Sequence, residues 1–156
     1  MPALMDLIAG DSREILLAIT VDDWAALADP SRFDAHLSLG AGLDPTWLDL
    51  FSEAARSTTR RDEPGSFLDA RRDLDGPGDV GDRTVERVDP EWVTAVARIG
   101  DREVDALAGR WIDLIEEELG HLPREEKPWI RSLAGDIVAF ARAADQSSSV
   151  LFAWSL

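Results

Sequence analysis

The side chains of this chain that could perform chemistry are nearly all carboxylates. Thirty-one Asp and Glu stand against 16 Lys and Arg, with no Cys, no Tyr, one Lys (Lys127) and two His (His36 and His121). Thiol, phenol and multi-histidine metal mechanisms are therefore mostly excluded, and the sequence carries no Gly-x-Ser-x-Gly elbow. Three spacings could organise what remains. Glu118-Leu119-Gly120-His121 has the Glu-x-x-His separation with which di-iron helices aim two ligands inward. A second such pair is missing, because Phe33 stands three residues before His36, and Gly120 ends the helix the pair would need. The plainer reading is a histidine interacting with a helix C-terminus. Asp73, Asp75 and Asp79 begin like a calcium loop with Gly78 at its turn, but Pro77 takes the fifth position and Thr84 the twelfth, where a bidentate Glu is needed. This leaves an opportunistic weak cation site or a solvated loop. Gly40-Ala41-Gly42 sits between a strand-like and a helical segment, as in a dinucleotide-binding turn. Pro45 replaces the third Gly, however, and Asp44 opposes a pyrophosphate at the helix end.

Paired carboxylates could also do acid-base hydrolysis, since 31 acids offer many pairs, but tuning their proton affinities apart requires a cleft that no spacing reveals. The densest acids, Glu116-Glu117-Glu118 and Glu125-Glu126, flank a helix junction. With Asp113 they form the candidate partner-binding set: Asp113, Glu116, Glu117, Glu118, Glu125 and Glu126. The competing reading of these six is a solvated acidic surface with no partner.

The net charge of −15 bears on who that partner could be. Binding a phosphate backbone requires Lys and Arg to displace condensed counterions, so nucleic acid and anionic membranes are poor partners. A basic protein would be attracted, the gain appearing mainly as a faster encounter that fades with salt. Surplus acid that only confers solubility is the alternative. Zero Cys implies no disulfide frame; Met1 to Gly10 lacks the basic flank of a secretory signal; no apolar run approaches the roughly 20 residues of a spanning helix. The expected compartment is the cytoplasm. Fifteen of the 16 basic residues are Arg and Asn is absent, a bias of base composition rather than of binding chemistry.

The elements that must position these acids follow from periodicity. A chain of 156 residues with 45% hydrophobic content and six Trp can bury a real core within one domain, 1–156. Thr20 with Asp23 predicts a capping-box-like helix start, with Val21, Trp24, Leu27 and Ala28 on one face and a stop at Asp29-Pro30. Ile15 to Ile19 could be a buried strand or part of a helix. Asp44-Pro45 and Asp89-Pro90 both open helices, because Asp caps free amides and Pro has no amide to satisfy; Trp47 and Trp92 are their core anchors. The two openings do not extend into an internal repeat. A mobile acidic, Gly- and Pro-rich loop is predicted at about 57–83, with a short helix near Phe67 to Arg72. Val104, Leu107, Trp111, Leu114, Ile115 and Leu119 define an amphipathic helix over Asp101–Leu119, stopped by Gly120. Ile130, Leu133, Ala134, Ile137 and Ala141 define another over about Pro128–Ala144. Val150, Phe152, Trp154 and Leu156 share one side of a C-terminal strand that must pair, beside Ala3–Ala9 or Ile15–Ile19, and an open edge on it would invite an added strand.

The succession in the second half resembles small bacterial YfbM-like proteins of unknown function: an acid-Pro-capped helix with Val93 and Val96, then Leu107 and Trp111, then a helix ending Phe140-Ala141-Arg142-Ala143-Ala144, then the strand Val150–Trp154. It covers roughly Val88 to Trp154, rests on apolar spacing, and lacks that family's aromatic-Pro stretch before the last helix. The resemblance implies an α+β fold and says nothing of an activity. The reading as a whole is an α+β, mainly helical single domain with a few short strands. It acts by binding a protein, as an acidic interaction domain or an inhibitor or immunity-type protein that masks a basic partner, with no cofactor. The alternative is a small carboxylate- or divalent-metal-dependent enzyme, and the amphipathic helices also allow self-association.

Overall fold

Alternation along the last strand dictates the architecture, because side chains on opposite faces of Val150–Ala153 are all buried and both faces must therefore be covered. The computed structural model describes residues 4–21, 23–27, 29–41, 45–72, 79–80 and 83–155. The element order is β1 (Leu4–Gly10), α1 (Ser12–Thr20), α2 (Trp24–Leu27), β2 (Ala35–Ala41), α3 (Pro45–Thr59), α4 (Phe67–Ala70), β3 (Arg71–Arg72), β4 (Asp79–Val80), β5 (Arg83–Val88), α5 (Pro90–Ala97), α6 (Asp101–Leu119), a 3-10 turn (Arg124–Glu126), α7 (Lys127–Ala144) and β6 (Ser149–Ser155). The fold is α+β. Its sheet is antiparallel throughout, in the order β2-β1-β6-β5-β3, with β4 also on β5. Among the described residues no helix is long and apolar enough to cross a membrane.

The C-terminal strand pairs with the N-terminal one, Leu7 opposite Phe152 and Ala9 opposite Val150, which selects the first of the two pairings the sequence offers. Its other edge pairs with β5. Both edges are thus occupied, and β6 has no free edge for strand addition. Ile15–Ile19 lies within α1, where Asp11 caps the amides of Arg13 and Glu14.

One sheet face carries Met5, Leu7, Ala9, Leu39, Val88, Val150 and Phe152 into the main core, which α3, α4, α5, α6 and α7 complete. Aromatic rings run through it from sheet to outer helix. Phe152 meets Phe67 (5.1 Å), Phe67 meets Trp92 (5.0 Å), Trp92 meets Phe51 (6.5 Å) and Phe51 meets Trp111 edge-on (5.2 Å). Edge-to-face pairs each add about 0.5–1.5 kcal/mol beyond their burial. The polar tips are matched, as Trp92 Nε1 donates to Ser52 Oγ (2.9 Å) and Trp111 Nε1 to the Trp47 carbonyl (2.9 Å). The other face presents Ile8, Val85, Leu151 and Ala153 to a smaller cluster built from Ile15, Ala18, Ile19, Leu27 and Phe33.

Three expectations need correction. Thr20 opens no helix: it closes α1, and its hydroxyl donates to the Leu16 carbonyl, while Asp23 receives the Ala26 amide ahead of the four-residue α2. Val21, placed on the apolar face, is exposed, whereas Leu27 is buried; Ala28 and the side chain of Trp24 lie outside the described residues. The segment 57–83 holds the short helix expected near Phe67–Arg72, as α4 at Phe67–Ala70, but its remainder is not all loop, since α3 continues to Thr59 and β3 and β4 add to the sheet.

Candidate functional site

The junction between α6 and α7 collects the predicted partner-binding acids. Gly120, at φ 104°, breaks α6 where a side chain would be strained, and Pro123 leads into the 3-10 turn that starts α7. Glu116 is held there from three sides: its carboxylate accepts the Leu122 amide (3.4 Å), lies 2.9 Å from His121 Nδ1 and 3.2 Å from Lys127 Nζ. The Leu122 amide, then the Lys127 ammonium, hold its proton affinity below the ordinary glutamate value. Glu116 is therefore an internal tie that fixes the turn. His121 bonds Glu116 rather than Glu118, so the Glu-x-x-His spacing brings no ligand pair together.

The other five acids are exposed. Glu117 is within 4.0 Å of Arg110 on the same helix. Asp113, Glu118, Glu125 and Glu126 have side chains with no hydrogen bond or ion pair among the described residues. Successive helical residues point about 100° apart, so Glu117 and Glu118 face different directions and the six acids are not one flat patch. Glu125 and Glu126 complement the positive start of α7, but Glu117 and Glu118 sit at the negative end of α6, where folding gains nothing from them. The same junction exposes Leu119 and Trp129, two of the few large apolar side chains left open. No periodicity could flag Trp129, which falls off the apolar face of α7.

A second group lines the groove between the 63–66 turn, α4 and the start of α5, about 210 Å³, where Glu63, Asp69, Asp89 and Glu91 meet Arg72. Asp89 caps the Glu91 amide (2.9 Å) as expected and lies 3.5 Å from Arg72. Among the described residues no cluster of three or more His, Asp or Glu could hold a metal ion. The calcium-like Asp73 and Asp75, with Gly78, and the Asp44 and Gly42 of the dinucleotide-like turn lie outside the described residues; of the 73–82 segment only Asp79 and Val80 are described.

Sequence reasoning missed one ionisable pair. Asp6, 5% exposed, lies on β1, an interior strand of the sheet, and its Oδ1 is 3.0 Å from His36 Nε2 on β2. The signal was a polar residue inside an apolar strand, but only the register, which places Asp6 beside Ser38 and Ala153, shows its setting.

Comparison with protein-family models, with curated proteins and with solved structures returns no match.

Proposed function

We propose that the chain is an acidic protein-interaction domain that docks on a basic partner through the α6–α7 junction. The observation that carries this reading is the coincidence, at one end of the helical layer, of exposed Trp129 and Leu119 with the exposed carboxylates of Asp113, Glu118, Glu125 and Glu126, which have no hydrogen bond or ion pair among the described residues. Trp is enriched among residues that dominate binding energy, and it works best when surrounded by polar groups that exclude water. The acids supply attraction and orientation towards a positive surface, and their effect falls with salt. Glu117 and Glu118, at the unfavourable end of α6, fit a role that folding does not explain. A masking function, in which the domain covers the basic surface of an effector such as a nuclease, is the most specific form of this reading. Direct nucleic-acid binding is disfavoured by the −15 charge.

The test immobilises three forms of the chain: the natural sequence, a variant with Asp113, Glu118, Glu125 and Glu126 all changed to Lys, and Trp129→Ala. Host extract is passed over each at low and moderate salt, and retained basic proteins are then titrated individually. A true partner loses more than about tenfold affinity with Trp129→Ala, corresponding to about 1.4 kcal/mol, and loses its salt dependence with the Lys variant. A partner indifferent to both variants overturns the reading. Light scattering that shows a constant oligomer, disrupted by Trp129→Ala, would assign the junction to self-association.

A further inference from the structure

The two ends of the sheet are finished differently. At one end β3 is two residues long and both are Arg, a short charged edge of the kind that resists strand addition. At the other end β2 runs for seven residues, Ala35-His36-Leu37-Ser38-Leu39-Gly40-Ala41, with no Asp, Glu, Lys, Arg or Pro. Among the described residues it pairs with β1 alone. In a chain of which 30% of the residues are charged, a strand of this length without one leaves its outer row of amides and carbonyls undefended. A register shift interrupts the ladder at Leu39, since Met5 faces Gly40 and Asp6 faces Ser38, but Ala35–Ser38 is regular.

The side chains show that this edge is open. Opposite residues of an antiparallel pair share a face, so Leu37 stands beside Leu7 and Ala35 beside Ala9 over the main core. Leu7 and Ala9 are 0% exposed, whereas Leu37 and Ala35 pack against the same cluster and are only partly buried. On the other face Ser38 is exposed, and the Nδ1 of His36 has no partner among the described residues. An occupant of this edge must bring a strand and no charge. A basic partner would find no acid on β2 to recognise, and an acidic segment would approach against the charge of −15. A second copy of the chain meets the requirement, because it offers the same uncharged strand and two molecules of −15 then touch where neither places a carboxylate. Antiparallel pairing of a strand with its own copy closes about a two-fold axis, the commonest symmetry of soluble oligomers, and it continues a sheet that is antiparallel throughout.

We propose that β2 is a homodimer interface, in which two copies pair their β2 strands antiparallel about a two-fold axis at Leu37 and join two sheets into one. Leu37 then packs on its own copy over the helical face, and His36 stands opposite Ser38 of the second copy on the other face. This interface is independent of the α6–α7 junction, and neither reading needs the other. Sedimentation velocity on the full chain, from about 1 to 200 µM, should give a monomer–dimer equilibrium with a Kd of about 100 µM or tighter. Added salt should tighten the dimer, because screening relieves the repulsion between two bodies of −15, whereas docking on a basic partner weakens with salt. Hydrogen exchange at the two ends of that concentration range should show added protection confined to amides within 35–39. Ser38→Lys puts a charge on an exposed edge position and should weaken the dimer at least tenfold with the circular dichroism spectrum kept, while Trp129→Ala should leave it unchanged. If Ser38→Lys does not fold, the concentration-dependent exchange of the natural chain decides. A chain that stays monomeric up to about 200 µM overturns the proposal and leaves the edge to an extended segment of another protein. A dimer whose protection falls on α1 or on the α6–α7 junction, a dimer lost in Trp129→Ala, or growth into open-ended oligomers would overturn it equally.

Discussion

The two faces of the sheet bury apolar surface by different means. Against the helical layer, β1, β5 and β6 meet a chain of five aromatic rings whose buried polar tips, the indoles of Trp92 and Trp111, each find an acceptor. Against α1 and the short α2 the cover is thinner and wholly aliphatic apart from Phe33, and there β1 and β2 carry the Asp6–His36 pair. A deep core excludes ionisable groups because desolvating one costs several kcal/mol. Under a thin cover the pair persists because its neighbours across the sheet, Ser38 and Ala153, are small and His36 keeps some contact with solvent. The contrast teaches that stability is concentrated on one face and that polar strand positions are tolerated on the other.

The largest expected effect attacks the thick face. Trp111 is fully buried, stacks edge-on with Phe51 and ties α6 to α3 through the Trp47 carbonyl. Trp111→Ala should cost about 3–5 kcal/mol in denaturant unfolding. A loss below about 2 kcal/mol would mean that the helical face is not the principal source of stability. On the thin face, a double-mutant cycle of Asp6→Ala and His36→Ala should read a coupling of about 1.5–3 kcal/mol, the range for hydrogen bonds to charged groups. A coupling near zero would make the pair a crowding accident. Ser52→Ala returns to the thick face with a smaller change, leaving the Trp92 indole without its acceptor at a cost of about 1–3 kcal/mol, offset by up to about 0.7 kcal/mol of helix propensity. If Ser52→Ala is neutral, the deep face accepts unpaired polar groups and the contrast fails.

These elements were not equally legible in the sequence. α6 and α7 were readable almost to the residue because their apolar stripes repeat over four to five turns, and Asp89-Pro90 announced α5 through local capping chemistry alone. β6 was legible as a strand, and its partner was one of two named, because pairing depends on contacts across the whole chain. Ile15–Ile19 defied assignment since a five-residue apolar run suits a strand or a helix equally. Thr20 misled because a hydroxyl that can cap the next helix can equally bond back to its own. Of the candidate site, the sequence located the acids but could not tell Glu116, folded into the turn, from Glu118, left open three ångström-scale contacts short of any such role.

The smallest predicted effect tests that distinction between Glu116 and its neighbours. The Leu122 amide and the Lys127 ammonium favour the ionised form of Glu116, so its carboxyl titrates lower in the folded chain than in the unfolded one. A depressed folded value means the unfolded chain binds the proton first: the contribution is complete above the ordinary glutamate range and is lost as pH falls through the folded value. Glu116→Gln should therefore lower stability modestly at neutral pH, and the gap to the natural chain should close on acidification, followed by urea midpoints across an acid series. Glu118→Gln, with no partner to lose, should give a curve parallel to the natural one. If the two variants behave alike, Glu116 is as free as its neighbours and belongs with the docking acids; if only Glu116 shows the closing gap, the turn and the docking surface are built from different members of one acidic run.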